Sequence, residues 1–161
     1  MFKTFRYRLY PTKSQAHILH KTVETCRRWY NECLSERKTA WETEKRGISK
    51  FEQLRKVKDL KASDLGARNI HSHILHVVVH DLDKAFVDFF RRVKAGDSPG
   101  YPRFKGAGQF SSFGLQEYKN GFKIDGRRLM LTFIGRIAVH WHRPIEGKIK
   151  TLTIKRSRTG K

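Results

Sequence analysis

A chain of 161 residues can bury a sizeable core. Its 35 Lys and Arg against 15 Asp and Glu give a formal net charge of +20, which excludes an indifferent solvated surface and asks for a polyanionic partner, nucleic acid before an anionic membrane. Residues 1–90 carry 18 basic and 11 acidic side chains, residues 91–161 carry 17 and 4, so the second half is the more intense electrostatic surface.

The first stretch, MFKTFRYRLYP, holds no apolar run long enough for a signal peptide or a membrane span. Phe2–Tyr10 is aromatic and basic and predicts a strand. At period two, Lys3, Phe5, Tyr7 and Leu9 share one face; Arg6, Arg8 and Tyr10 share the other. Pro11 ends the strand, and Thr12 with Gln15 forms a capping box for a long amphipathic helix, about 13–46. The only cysteines, Cys26 and Cys33, are two turns apart on it, about 10 Å and beyond disulfide reach. Core thiols in a reducing, cytoplasmic setting are the expectation.

Gly47 breaks this helix, and Ser49 with Glu52 suggests a second capping box opening a short helix through Leu54, Val57 and Leu60. The pattern weakens over 61–69. A third long helix follows from about His71 to Val93, with Ile74, Val77, Val78, Leu82, Ala85, Phe86, Phe89 and Phe90 on its buried face. The helical block is expected to be a small antiparallel bundle. Gly96 stops it, and SPGYPRFK cannot be helical because Pro99 and Pro102 push the residues before them out of the α region. Short alternating strands are predicted at 110–116, 121–124, 128–132, 137–141 and 148–156, separated by Gly, Asn and Asp turns. They suggest a small β-barrel that Phe2–Tyr10 must join. The fold class expected is α+β: residues 1–10 as the first barrel strand, 11–97 as an inserted helical domain, and 98–161 as the rest of the barrel.

Little in the chain looks catalytic. His76 and His80 stand at i, i+4, a metal-binding spacing, but the glutamate of an HExxH site is replaced by Val77-Val78-Val79; structural or nucleic-acid-contacting histidines are the better reading. After Asp97 the only carboxylates are Glu117, Asp125 and Glu146, too few and too turn-like for a Mg²⁺ site. No catalytic residue, metal ligand or cofactor is assigned. The remaining signal is basic–aromatic interleaving, which suits phosphate contact beside base stacking. It marks Lys3, Arg6 and Arg8 around Phe5 and Tyr7; Arg103 and Lys105 around Tyr101 and Phe104; and Lys155, Arg156, Arg158 and Lys161, with Arg143 also assigned to nucleic acid. Tyr101 and Phe104 are expected to pin the crossing between helical block and barrel, leaving Arg103 and Lys105 to face the ligand. Phe86, Phe89 and Phe90 are expected to be core.

Five segments in order, KTFRYRLYPTKSQ, CRRWYNECL, LDKAFVDFFRR, GYPRFKG and IGRIAVHWHRPIEGKIKTLTIKR, resemble TnpB, the OrfB-type protein of bacterial insertion sequences related to type V CRISPR effectors. The resemblance covers essentially the whole chain and implies the N-terminal half of an RNA-guided DNA endonuclease. That half comprises a wedge domain, an oligonucleotide-binding-like barrel, interrupted after its first strand by a helical recognition domain. Its implied partners are a guide RNA from the transposon end and double-stranded target DNA. Reading of the target-adjacent motif would fall to Lys50, Phe51 and Gln53, to the helix face near His73 and His76, and to Ser111, Ser112 and Phe113. Relatives often carry Gln near the position of His76, so a different contact is expected there. The family's RuvC-like nuclease domain and zinc ribbon follow the strand matching Thr151–Arg156; the chain stops at Lys161 before them, as a fragment, a relic or a free-standing module. A subunit of a split guided nuclease, paired with a separate nuclease domain or a second copy, and a DNA-binding transposon regulator are the alternative readings.

Overall fold

The computed structural model describes residues 1–157. It is an α+β structure in the order β1 (Arg8–Tyr10), α1 (Lys13–Glu44), α2 (Lys50–Ser63), α3 (Leu65–Arg68), α4 (Ser72–Lys94), β2 (Ser112–Leu115), β3 (Phe122–Asp125), β4 (Arg128–Leu131), β5 (Gly135–His140) and β6 (Leu152–Lys155). Both capping boxes are present. Thr12 accepts from the Gln15 amide while the Gln15 side chain accepts from the Thr12 amide; Ser49 and Glu52 do the same for α2. The first long helix ends at Lys45, in the left-handed region at φ 53°, just before Gly47.

Helix α1 spans 32 residues, roughly 48 Å at 1.5 Å per residue. Trp29 Nε1 donates to the Leu75 carbonyl at 3.2 Å, and the Arg37 guanidinium donates to Asp83 at 3.2 Å. Both pairs are 46 residues apart, so α1 and α4 run parallel and in step. Helix α2 runs the other way: its start reaches Arg37 through Gln53 and its end reaches Ser72 through Lys61. The expected small antiparallel bundle is an up–down–up arrangement, α2 antiparallel to both long helices, because α3 and its flanks turn the chain once more before α4.

The closed barrel expected from the strand pattern does not form. Four strands make an open antiparallel sheet in the order β1-β5-β4-β3, and β2 and β6 pair separately. Strand β1 is only three residues long and pairs Arg8, Leu9 and Tyr10 with His140, Val139 and Ala138. Before Arg8 the chain runs beside Trp141–Pro144 but makes side-chain contacts rather than ladder bonds: the Tyr7 hydroxyl donates to the Arg143 carbonyl at 3.0 Å. Between β2 and β3 the chain doubles back, with the Lys119 amide donating to the Phe122 carbonyl at 2.8 Å. Among the described residues no ladder then links β2 or β6 to the four-stranded sheet.

One hydrophobic core joins the two parts. Leu34, Ile74, Leu75, Val79 and Leu82 from the helices and Phe113, Leu115, Leu129, Leu131 and Ile137 from the strands are buried in one cluster. Cys26 and Cys33 lie in it as free thiols. Of the three phenylalanines expected in the core, Phe86 is buried, Phe89 is half-buried and Phe90 is exposed. Glu44, the last residue of α1, stands level with Phe90, so beyond that point α4 has no α1 beside it. No helix among the described residues is long and apolar enough to cross a membrane.

Candidate nucleic-acid interface

The strand alternation gives the four-stranded sheet two unlike faces. Leu9, Phe122, Ile124, Leu129, Leu131, Ile137 and Val139 point to the core. On the other face the register aligns Arg8 with His140, Tyr10 with Ala138, Ala138 with Arg128, and Arg128 with Asp125. Arg136 pairs with Met130, and Met130 with Lys123. Arg8, Lys123, Arg128 and Arg136 are exposed, and the one carboxylate in these rows, Asp125, accepts from Arg136 Nε at 2.6 Å. That arginine holds the Asp125 carboxyl below its ordinary range. The Arg8 guanidinium lies 5.2 Å from the centre of the Tyr10 ring. A face with several exposed cations and an exposed aromatic offers groups of the kind that meet phosphates and stack on bases.

A second group of cations and rings lies on the N-terminal arm. Tyr7 packs against Trp141 and His142 with ring centres 4.9 and 5.2 Å apart, and Trp141 Nε1 donates to the Arg127 carbonyl at 2.7 Å. Phe5 has Lys3 at 5.5 Å and Arg143 at 5.0 Å from its ring centre. Lys3 also pairs with Glu146 at 3.5 Å, both well exposed. Lys3 and Arg143 thus meet at the Phe5 ring, and Arg6 and Arg8 are exposed on the same arm. Lys123, Arg128, Arg136 and His140 were missed by a sequence reading that looked for cations adjacent in the chain. Their signal was the period of two, which interleaves each with a core residue.

The other assigned residues are scattered, and two are withdrawn. Gln53 is fully buried: its Nε2 donates to the Cys33 carbonyl at 2.8 Å and its Oε1 accepts from Arg37 Nε at 2.8 Å. Phe113 is likewise in the core. Neither side chain is open to a nucleic acid; both face inward because they sit on the packed sides of α2 and β2. Lys50 and the exposed Phe51 lie at the start of α2, the ammonium 5.4 Å from the ring centre. That end of α2 is level with Asp83–Phe86 on α4, about ten residues or roughly 15 Å from His76, so the motif-reading set does not converge on one point. Ser112 does face α4, lining a shallow cleft with Ile74, Val77 and Asp81.

Lys155 is the register partner of Ser112. The Arg156 amide donates to the Ser111 carbonyl at 2.9 Å, and its guanidinium lies 3.1 Å from His20 Nδ1. Arg158 and Lys161 lie outside the described residues. Around the junction, Arg103 is exposed, but Lys105 is held: its amide donates to Asn31 Oδ1 at 2.7 Å, its carbonyl accepts from Asn31 and Arg27, and its ammonium sits 5.8 Å from the centre of the Tyr30 ring. Tyr101 packs edge-on against Phe86 and Phe89, whereas Phe104 is half exposed. The crossing is pinned by Tyr101 and the Lys105 backbone, not by Phe104.

One histidine is structural in its first contacts. His71 caps α4, its Nδ1 accepting from the His73 amide at 3.1 Å, and its Nε2 lies 2.9 Å from Asn120 Oδ1. Burial pushes the His71 and His76 imidazoles below the ordinary value, and neighbouring positive charges add to it. Among the described residues, no group of three His, Cys, Asp or Glu is placed to hold a metal ion. Burial pushes the Cys26 thiol up to about 12, and the Cys33 thiol is raised by the same cause, which leaves both unreactive at neutral pH.

With that geometry in view, residues 1–46 match the helix-turn-helix domain model of OrfB proteins of the IS605 type. In this chain the matched stretch is β1 and one unbroken helix; the turn to α2 comes only after it. A Streptomyces pristinaespiralis protein named "Putative RNA-guided DNA endonuclease" is 30% identical over 165 residues, covering 99% of this chain and 39% of that protein. The resemblance to TnpB-like, OrfB-type proteins read from the residues is therefore supported from two directions, and the chain spans 39% of the length of the curated relative it matches.

Proposed function

We propose that this chain is a nucleic-acid-binding part of a TnpB-like RNA-guided DNA endonuclease, acting in the cytoplasm, which grips the guide-RNA scaffold and the DNA beside the target without itself cutting. In this reading the sheets, residues 1–10 and 98–161, serve as the wedge domain and residues 11–97 as the inserted recognition domain. Base pairing between guide and target supplies most of the sequence choice. The observation that carries the reading is the solvent face of the four-stranded sheet, where Arg8, Lys123, Arg128 and Arg136 are set out at strand spacing against one carboxylate. Half-buried Lys50 and exposed Phe51, with Ser112 and the His73–His76 turn, are the surfaces offered to the target-adjacent DNA. Purifying the protein from its host and sequencing the bound RNA tests it. A structured transcript from a transposon end is expected; a random sample of cellular RNA would overturn the guide-scaffold role. With Mg²⁺, guide and labelled duplex, the chain alone is expected to leave the duplex intact, and reproducible cleavage would refute the non-catalytic part.

A further inference from the structure

The parallel, in-step packing of α1 and α4 gathers exposed apolar side chains at one end of the bundle. The offset of 46 residues carries Trp41 to the level of Val87, one turn short of Phe90. Trp41, Val87, Phe90, Val93 and Phe104 are between 46% and 57% exposed. Phe90 is not a stray: it stacks on Phe86 at 6.4 Å and meets Phe89 edge-on at 5.2 Å, and Phe89 in turn is fixed by Tyr101. Cations attend the rings. Lys45 Nζ lies 5.7 Å from the centre of the Trp41 ring and Lys38 Nζ 5.6 Å from that of Phe104, while Arg92 and Lys94 stand in the last turn of α4 beside Arg91, which pairs with Asp88 at 3.3 Å. Glu42 is the carboxylate whose charge reaches Tyr101.

We propose that this end of the bundle is a stacking platform for unpaired nucleotides, with Trp41, Phe90 and Phe104 receiving bases and Lys38, Lys45 and Arg92 meeting the flanking phosphates. The choice of occupant follows from charge. An apolar protein surface laid over these rings would strip water from the ammonium groups beside them without supplying an anion. A second copy would bring cations against cations in a chain of net charge +20. A nucleotide offers a flat π face for the ring and a phosphate for the cation together. The platform adds single-stranded nucleotides as a second ligand at a place far from the sheet. Gln15, whose Nε2 donates to the Arg136 carbonyl at 2.7 Å, marks the sheet end of α1, and Trp41 lies about 40 Å along the helix from it.

The test uses the full chain and a short single-stranded oligonucleotide carrying 2-aminopurine, beside a blunt duplex of the same length. Wild-type protein is expected to quench the single strand. Trp41→Ala, Phe90→Ala and Phe104→Ala are each expected to weaken single-strand binding at least about fivefold and to leave duplex affinity unchanged; Trp41→Phe is expected to restore the quench. Because the three rings are half exposed, an unchanged melting curve shows that a loss is not unfolding. Equal loss on single strand and duplex, or no loss on either, overturns the platform while leaving the sheet reading intact. Self-association that the same substitutions abolish overturns it in favour of a second copy. No binding of any oligonucleotide by the wild-type chain overturns both readings.

Discussion

Arg37 shows how a single buried polar residue ties three helices. Its Nε donates to Gln53 on α2, both terminal nitrogens donate to Asp83 Oδ1 on α4, and its guanidinium lies 5.1 Å from the centre of the Phe86 ring. Removing it leaves the mostly buried Asp83 carboxylate and the buried Gln53 Oε1 without this donor, so Arg37→Ala is expected to destabilise the fold by about 3 kcal/mol, read as a lower denaturation midpoint. Gln53 was assigned to DNA because the family pattern marks its position. Local sequence could not reveal that α1 and α4 close over it. The capping His71 offers a pH readout. The imidazoles of His71 and His76 hold fewer protons folded than unfolded, so stability rises with pH through this range. It is fully present above the ordinary histidine value near 6.5 and falls as the pH drops below it. Thermal melts are expected to show a lower midpoint at acidic than at neutral pH, and His71→Gln with His76→Gln is expected to flatten that dependence. Gly121 has φ +93°, and a Cβ there would stand 2.9 Å from atoms of His71 and Leu115; no other residue type fits the turn that brings Asn120 to His71 without strain.

At the scale of elements, helix limits were legible because caps are local chemistry. Thr12 with Gln15 and Ser49 with Glu52 announce α1 and α2 from four residues each. Thr12→Ala is expected to cost about 1 kcal/mol, measurable in the same melts. Five of the six strands also fell where alternation placed them, although β1 is shorter than the Phe2–Tyr10 stretch because residues 2–7 find no ladder partner. What pattern could not show was pairing between distant edges, and so the open sheet stood undetected behind an expected barrel. The same limit hid the basic face. Lys123, Arg128 and Arg136 stand on three successive strands and come onto one face only through the β3-β4-β5 register. Neutralising Arg8, Lys123 and Arg128 together is expected to weaken RNA binding while leaving the melt unchanged, since all three are exposed.

At the scale of the whole molecule, charge decides the class of partner and geometry decides where it sits. A +20 surface alone would bind any polyanion. A four-stranded face carrying four exposed cations, with the Tyr7–Trp141–His142 cluster on the arm beside it in sequence, gives that charge a place. The helical block stands apart from this face along the length of α1, with its aromatic end free for a different ligand. The direct measurement is a salt titration of binding to a structured RNA, run side by side for the wild-type chain and the Arg8→Ala, Lys123→Ala, Arg128→Ala variant. With six to ten phosphate contacts the wild-type affinity is expected to fall about a thousandfold or more between about 50 and 200 mM salt, and the variant's log–log slope is expected to be shallower by about 0.9 for each contact removed. A nearly flat wild-type response, or a variant slope identical to the wild type, would contradict the sheet face as the seat of nucleic-acid binding.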